Sequence, residues 1–238
     1  MKIGKRPFFI LLTLPPFFFL FALFALSVYF SSKGMRSAEE ISPEISRHIP
    51  LILLATQGLM LSMLLLYAKK HHRNPFREIF QSNRLKSDIL FGSILGMAMA
   101  FLYEYGLLDL ITFLQESVGD YIPPAKLRQS LKSNLFAFGL ANILLAPFVE
   151  ENIYRNFGFS PMVKTFGKWQ AILYSSFFFG LLHWMGGVWY ILTTFLFVGI
   201  PLAWLRLKKN SLFFVFIAHL SLNTTELLNS MLSIQKDW

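Results

Sequence analysis

FFILLTLPPFFFLFALFALSVYF, residues Phe8 to Phe30, is a run of 23 positions without one charge. A bilayer's hydrocarbon core is about 30 Å thick and an α-helix rises about 1.5 Å per residue, so about 20 apolar residues cross it. This run is long enough. Lys2, Lys5 and Arg6 precede it, as they would a signal peptide. The run is longer than a secretory h-region, and no small-x-small cleavage pattern follows, so it reads as an uncleaved first span. Pro15 and Pro16 remove backbone donors within it and are expected to kink it.

Working outward, six more spans follow. The second covers about Ile49 to Ala68, and the segment Ser31–His48 before it reads as an outer loop. The third starts near Ile89 and fades past Tyr103, where Glu104 and Asp109 appear. Glu104–Lys132 then reads as a second outer loop, partly helical, with a break at Pro123-Pro124. The fourth span runs from Asn134 to about Phe157 and carries Glu150 and Glu151. From Trp169 to Leu205 no Asp, Glu, Lys or Arg occurs. That is too long for one crossing, and Gly186-Gly187 divides it into spans five and six. The seventh runs from Ser211 to about Met231. The expected fold is an all-α polytopic membrane bundle of about seven transmembrane helices in one domain, residues 1–238. Residues 1–133 hold spans one to three without a signature, and 134–232 hold spans four to seven as a catalytic core.

Composition agrees. Hydrophobic residues make up 55% of the 238 and charged ones 15%, with 27 Phe. Soluble domains carry about 25% charged residues, so this is neither a soluble domain nor a disordered chain. Cysteine is absent, which removes disulfides, thiolate nucleophiles and Cys-ligated zinc. With the N-terminus cytoplasmic, the inner segments hold 15 Lys and Arg and the outer ones 7. The positive-inside rule therefore places the N-terminus in the cytoplasm. The same split explains most of the +9 charge without nucleic acid. The basic loop Lys69–Lys86 has little aromatic interleaving and reads as an inner-leaflet anchor.

Ionisable residues inside spans are expensive, about 2.5–3.5 kcal/mol at a helix centre for Asp or Arg, so they mark candidate sites. They form three groups. In the first, Glu151 and Arg155 are an i,i+4 pair in the favourable order, while Glu150 points about 140° from Arg155. Pro147 interrupts the same helix one turn earlier. The second is His183, with Phe179 one turn before it. The third is His219 with Asn223, again i,i+4. Read singly, each has a bland alternative: charges snorkelling at a helix end, a hydrogen-bonded His, or polar glue between helices. Depth sets the joint reading apart. Counted from Ser160, Trp169 and Ser211 as the inner ends of spans four, five and seven, Glu150 lies about 15 Å deep, His183 about 21 Å, His219 about 12 Å and Asn223 about 18 Å. Unrelated snorkelling residues have no reason to share a layer.

A carboxylate beside an imidazole can take a proton from water, and His219 with Asn223 can donate to an oxyanion. Ser175, Ser176 and Ser221 lie in no nucleophile-elbow pattern, so a Ser triad fits less well. Glu150-Glu151-x-x-x-Arg155, Phe179-x-x-x-His183 and His219-x-x-x-Asn223 resemble, in order, the three signature motifs of the CAAX protease and bacteriocin-processing (CPBP, or Abi) family. The eukaryotic Ras-converting CAAX endopeptidase is a member. The likeness covers about Pro147 to Asn223, and Asn156 stands where the family often has Gly. It implies a metal-independent intramembrane glutamate endopeptidase without cofactor. Glu150 and His183 would activate water, and His219 and Asn223 would form the oxyanion hole. Glu151 and Arg155 would hold the helix and that geometry, and Phe179 would pack beside His183. The implied partners are a membrane-associated protein or peptide substrate and the bilayer, with no nucleic acid. A short chain without a soluble domain points to a bacterial inner membrane. Three alternatives stay open. His183, His219 and Glu150 could ligate zinc as a His₂Glu set, although no His-Glu-x-x-His helix occurs. The same layer could serve a non-enzymatic immunity or scaffold protein, or a small transporter, for which no inverted repeat is visible.

Overall fold

The computed structural model describes residues 8–121 and 134–236, with side chains as far as 232. Lys2, Lys5, Arg6, Pro123, Pro124, Lys126, Arg128, Lys132 and the side chain of Lys236 lie outside the described residues. The described residues contain helices and turns and no strand. That follows from the solvent: in lipid a helix satisfies every backbone N–H and C=O within its own segment.

The opening apolar run folds as two helices, α1 (Phe8–Thr13) and α2 (Pro15–Ser32). Pro15 and Pro16 do not kink one continuous helix. They take the first positions of α2, where a backbone N–H has no intrahelical acceptor to lose. Phe17, Phe21 and Phe24 share one face of α2 and are 59%, 64% and 65% exposed, as a lipid-facing stripe requires.

The second span is longer than expected. Helix α3 (Ala38–Lys70) begins inside the stretch read as an outer loop. Ser37 accepts from the Glu40 N–H, and the Glu40 side chain accepts from the Ser37 N–H, a reciprocal cap that starts the helix before Pro43 and Pro50. A short helix α4 (Pro75–Ile79) follows. Helix α5 (Leu85–Ser117) also outruns its expected end. It passes Glu104 through a π turn at Tyr103–Leu107, so the first part of the expected loop is helix.

Helix α6 (Leu135–Phe166), started by the Asn134 side chain, has π turns at Leu140–Leu145 and Ile153–Phe157. It is the central element: 61% of its most apolar window is buried, against 17% for α2. Helix α7 (Lys168–Leu182) ends in a 3₁₀ turn, Trp184–Gly186. Gly187, at φ 97°, then redirects the chain into α8 (Val188–Lys209), which has a π turn at Thr194–Gly199. The division at Gly186-Gly187 is where the sequence places it. Helix α9 (Leu212–Lys236) closes the bundle.

Six of these helices, α2, α3, α5, α6, α8 and α9, are long and apolar enough to cross a membrane. The chain is a multi-pass all-α membrane protein. Helix α7 holds the expected fifth span, but its 15 residues rise only about 22 Å. The pairing of α5 with α9 depends on small residues. Gly92, Gly96 and Ala100 recur every four positions on the buried side of α5. A Cβ on Gly96 would run into the Ala218 carbonyl oxygen and stand 2.8 Å from the Leu222 nitrogen, so the two backbones touch there.

Candidate active site

The polar side chains picked out by motif sit on α6, α7 and α9. In α6, Glu150 is 3% exposed, and Glu151 and Arg155 are fully buried. Arg155, one of the 15 basic residues assigned from sequence to the inner side, therefore belongs to the interior. Its Nε stands 3.6 Å from Glu151 Oε2. One of its terminal nitrogens donates to the Gly199 carbonyl at 3.3 Å, and its guanidinium lies 4.1 Å over the Phe179 ring. Pairing falls on Glu151, leaving Glu150 oriented elsewhere.

Helix α9 brings His219 to both acids. Its Nδ1 is 2.8 Å from Glu151 Oε1, and its Nε2 is 4.0 Å from Glu150 Oε2. Donation from Nδ1–H to the carboxylate fixes the ring plane and leaves Nε2 facing Glu150. The Glu151–His219 partnership crosses 68 positions and lies beyond motif reading. Four residues further along α9, Asn223 donates through Nδ2 to the Asn142 carbonyl at 2.7 Å. Asn142 lies in the first π turn of α6, and such turns take carbonyls out of the regular ladder. Gly199, which accepts from Arg155, closes the π turn of α8. Two of the four π turns among the described residues thus supply acceptors that hold candidate side chains.

His183 closes α7. Its Nδ1 is 2.9 Å from the Phe179 carbonyl, and since a carbonyl only accepts, Nδ1 carries the proton. Nε2 of the neutral ring is then a lone pair. Phe179 separates the two imidazoles, 4.9 Å from the His183 ring and 5.8 Å edge-on to that of His219. Glu150, Phe179, His183, His219 and Asn223 line one cavity of about 450 Å³. Glu226 lines the same cavity seven residues beyond His219.

Two further residues, Gln57 and Asp120, escaped the sequence, and a third, Asn156, was legible there only as a departure from the family pattern. Gln57 of α3 donates through Nε2 to Glu150 Oε1 at 2.8 Å. Asn156, at the position where Gly was expected, has a defined task. Its Oδ1 accepts from Arg73 and its Nδ2 donates to Glu78, each at 2.8 Å, while Arg73 pairs with Glu78. Partial burial raises the Glu78 pKa, but the hydrogen bonds from Arg73 and Asn156 outweigh it and hold the carboxyl below its ordinary value. This latch ties the α3–α4 connection to α6 one turn past the buried acids. Asp120 does the same for His183. Its carboxylate accepts from the Val188 N–H at 3.0 Å and the Trp189 N–H at 3.4 Å, capping α8 from another segment. Gln115 donates to the Gly186 carbonyl at 3.2 Å, so the turn bearing His183 is held from two sides.

Zinc ligation needs His183, His219 and Glu150 to converge. Among the described residues no three His, Asp or Glu side chains come together as a metal's ligands do. The Nδ1 atoms of both imidazoles are directed elsewhere, to Phe179 and to Glu151.

Residues 132–225 match the family model for the Rce1-like type II CAAX prenyl endopeptidases. This match, over 94 of the 238 residues, supports kinship of that part with the CAAX proteases. No curated protein and no solved structure matches the chain. The match to the CAAX protease family takes in Glu150, Glu151, Arg155, Phe179, His183, His219 and Asn223. It leaves Gln57, Arg73, Glu78 and Asp120 outside. The match points to a protease, a hydrolase embedded in a membrane.

Proposed function

We propose that the chain is a glutamate-type intramembrane endopeptidase and that Glu150 is its general base. The observation that carries this reading is the meeting of Glu150, His183, His219 and Asn223, from three helices, around one cavity between membrane-spanning elements. Glu150 Oε2, which has no hydrogen-bond partner among the described residues, takes a proton from water as the oxygen attacks the peptide carbonyl. The Nε2 lone pair of His183 accepts a second hydrogen bond from that water. The carbonyl π pair moves onto oxygen, and the oxyanion is met by Asn223 Nδ2 and by His219 Nε2–H. With Nδ1 committed to Glu151, His219 donates from Nε2 only as an imidazolium, and the Glu151 carboxylate offsets that charge. Collapse of the intermediate breaks the C–N bond. Glu150 returns its proton to the leaving nitrogen, the new carboxylic acid gives its remaining proton to the released amine, and the products are a carboxylate and an ammonium group.

The substrate class is a peptide bond of a membrane-associated protein. The family's name makes a prenylated C-terminal peptide the first probe. The cavity walls are mainly aliphatic and aromatic, with Leu102, Leu107, Phe138, Leu182 and Phe197 among them, and they suit an extended apolar segment. With the buried Arg155 taken out of the inner count, 14 basic residues against 7 on the seven-span reading support a cytoplasmic N-terminus, and the proposed site is a bacterial inner membrane. The test is a peptidomic comparison of cells producing wild type and Glu150→Gln. Peptides with new termini found with wild type alone support endopeptidase action. Identical peptidomes count against it.

A further inference from the structure

Gln57, in the unmatched N-terminal part, hydrogen-bonds the Glu150 carboxylate. We infer that Gln57 is a positioning residue that fixes the Glu150 carboxylate for catalysis, an inference that rests on the hydrolytic reading above. Gln57 is 7% exposed and lies on the core side of α3, on the same helix as the buried Met60 and Leu64. It stands 13 residues, about 20 Å, from the Lys70 end of α3, in the same layer as the polar groups of α6, α7 and α9. A neutral amide inside a membrane bundle is unfavourable unless it is used. Its Nε2 donates to Glu150 Oε1 at 2.8 Å across 93 positions of sequence. Gln57 Oε1 has no partner among the described residues, so this side chain is not serving a wider network.

The terminal torsion of a glutamate is broad and about twofold, so an untethered carboxylate samples many planes. The bond to Gln57 holds Oε1 and leaves Oε2 as the oxygen 4.0 Å from His219 Nε2. Gln57 thereby selects which oxygen works as the base. It does so without touching the reacting atoms, through a hydrogen bond to a charged acceptor, the stronger kind. The catalytic glutamate's geometry thus depends on a helix that lies outside residues 132–225.

The test uses full-length protein in liposomes with two fluorogenic probes, a farnesylated CAAX peptide and its unprenylated counterpart. Wild type, Gln57→Met, Gln57→Asn and Glu150→Gln are compared. Met keeps the length without a donor, and Asn keeps the amide but is one methylene too short. The expected result is a fall in kcat of about 10- to 100-fold in both Gln57 variants, with KM within about twofold and an unchanged melting temperature. A kcat within threefold of wild type overturns the inference, as does a loss that follows the melting temperature. Inactive Glu150→Gln beside fully active Gln57 variants removes only the role of Gln57. Active Glu150→Gln removes the hydrolytic reading and this inference together. A readout independent of any substrate is the infrared difference between wild type and Glu150→Gln, which isolates the Glu150 carboxylate stretch. Gln57→Met should move that band, and an unmoved band overturns the inference.

Discussion

Replacing Arg155 with Met tests how the buried charges support one another. Arg155 and Glu151 are both fully buried, with Nε and Oε2 3.6 Å apart. At an effective dielectric of about 20, a pair at such a distance attracts by about 4 kcal/mol. Removing one partner of a buried pair costs about 3–5 kcal/mol, because the other charge is left uncompensated. Here the loss is compounded, since Glu150 is a second acid adjacent in sequence and the guanidinium also lies 4.1 Å over Phe179. Met restores part of that last contact through its sulfur. The companion change Glu151→Gln removes the charge and keeps an oxygen to accept from His219 Nδ1. Arg155→Met should therefore lose about 3–5 kcal/mol and the double variant markedly less, a coupling of about 2–3 kcal/mol. The assay is reversible unfolding in mixed detergent micelles, scored as a double-mutant cycle. A double variant whose loss equals the sum of the two singles would refute the claim that the charges form one balanced unit.

Three more outcomes follow from the geometry. Asp120→Ala should weaken the cap on α8 by about 0.5–2 kcal/mol and reduce kcat by loosening the turn that bears His183. Partial burial raises the Asp120 pKa, but the N–H groups of Val188, Trp189 and Tyr121 and the Gln115 amide outweigh it and hold the carboxyl below its ordinary value. Its contribution is present above about pH 4 and lost as pH falls through the lowered pKa. The wild-type advantage in melting temperature over Asp120→Ala should shrink below pH 4, and a constant advantage down to pH 2 would contradict this. Gly96→Ala should destabilise the α5–α9 contact by about 1–3 kcal/mol, because the new Cβ meets backbone that cannot swing aside; an unchanged melting temperature would show the helices free to part. Turnover should survive prolonged chelation, and activity lost to chelator and restored by zinc would revive the His₂Glu reading.

The spans were legible because their apolar runs are long, and the break at Gly186-Gly187 because paired glycines punctuate a charge-free stretch. The Glu151–Arg155 pairing was legible from helical phase alone. The early start of α3 was also written locally, in Ser37 and Glu40, but the polar residues of 38–48 masked it as a loop. The continuation of α5 past Glu104 was hidden for the same reason, since a helix may leave the apolar layer without ending. Gln57, Asp120 and the Glu151–His219 bond carry no local signal. A lone Gln in a span, or an Asp in a loop, has a pattern only with its partner, which lies 93 positions away for Gln57 and 68 for Asp120. Asn156 was noticed as a departure, and its purpose needed Arg73 and Glu78 in view.

The most direct measurement is turnover by purified Glu150→Gln in liposomes, on a peptide that wild type cleaves, with folding checked by melting temperature. Gln keeps the shape and the bond to α3 but cannot take a proton, so cleavage should fall by at least about 100-fold, within the range set by loss of a general base. A folded Glu150→Gln that retains a tenth or more of wild-type turnover would contradict the assignment of Glu150 as the group that activates water.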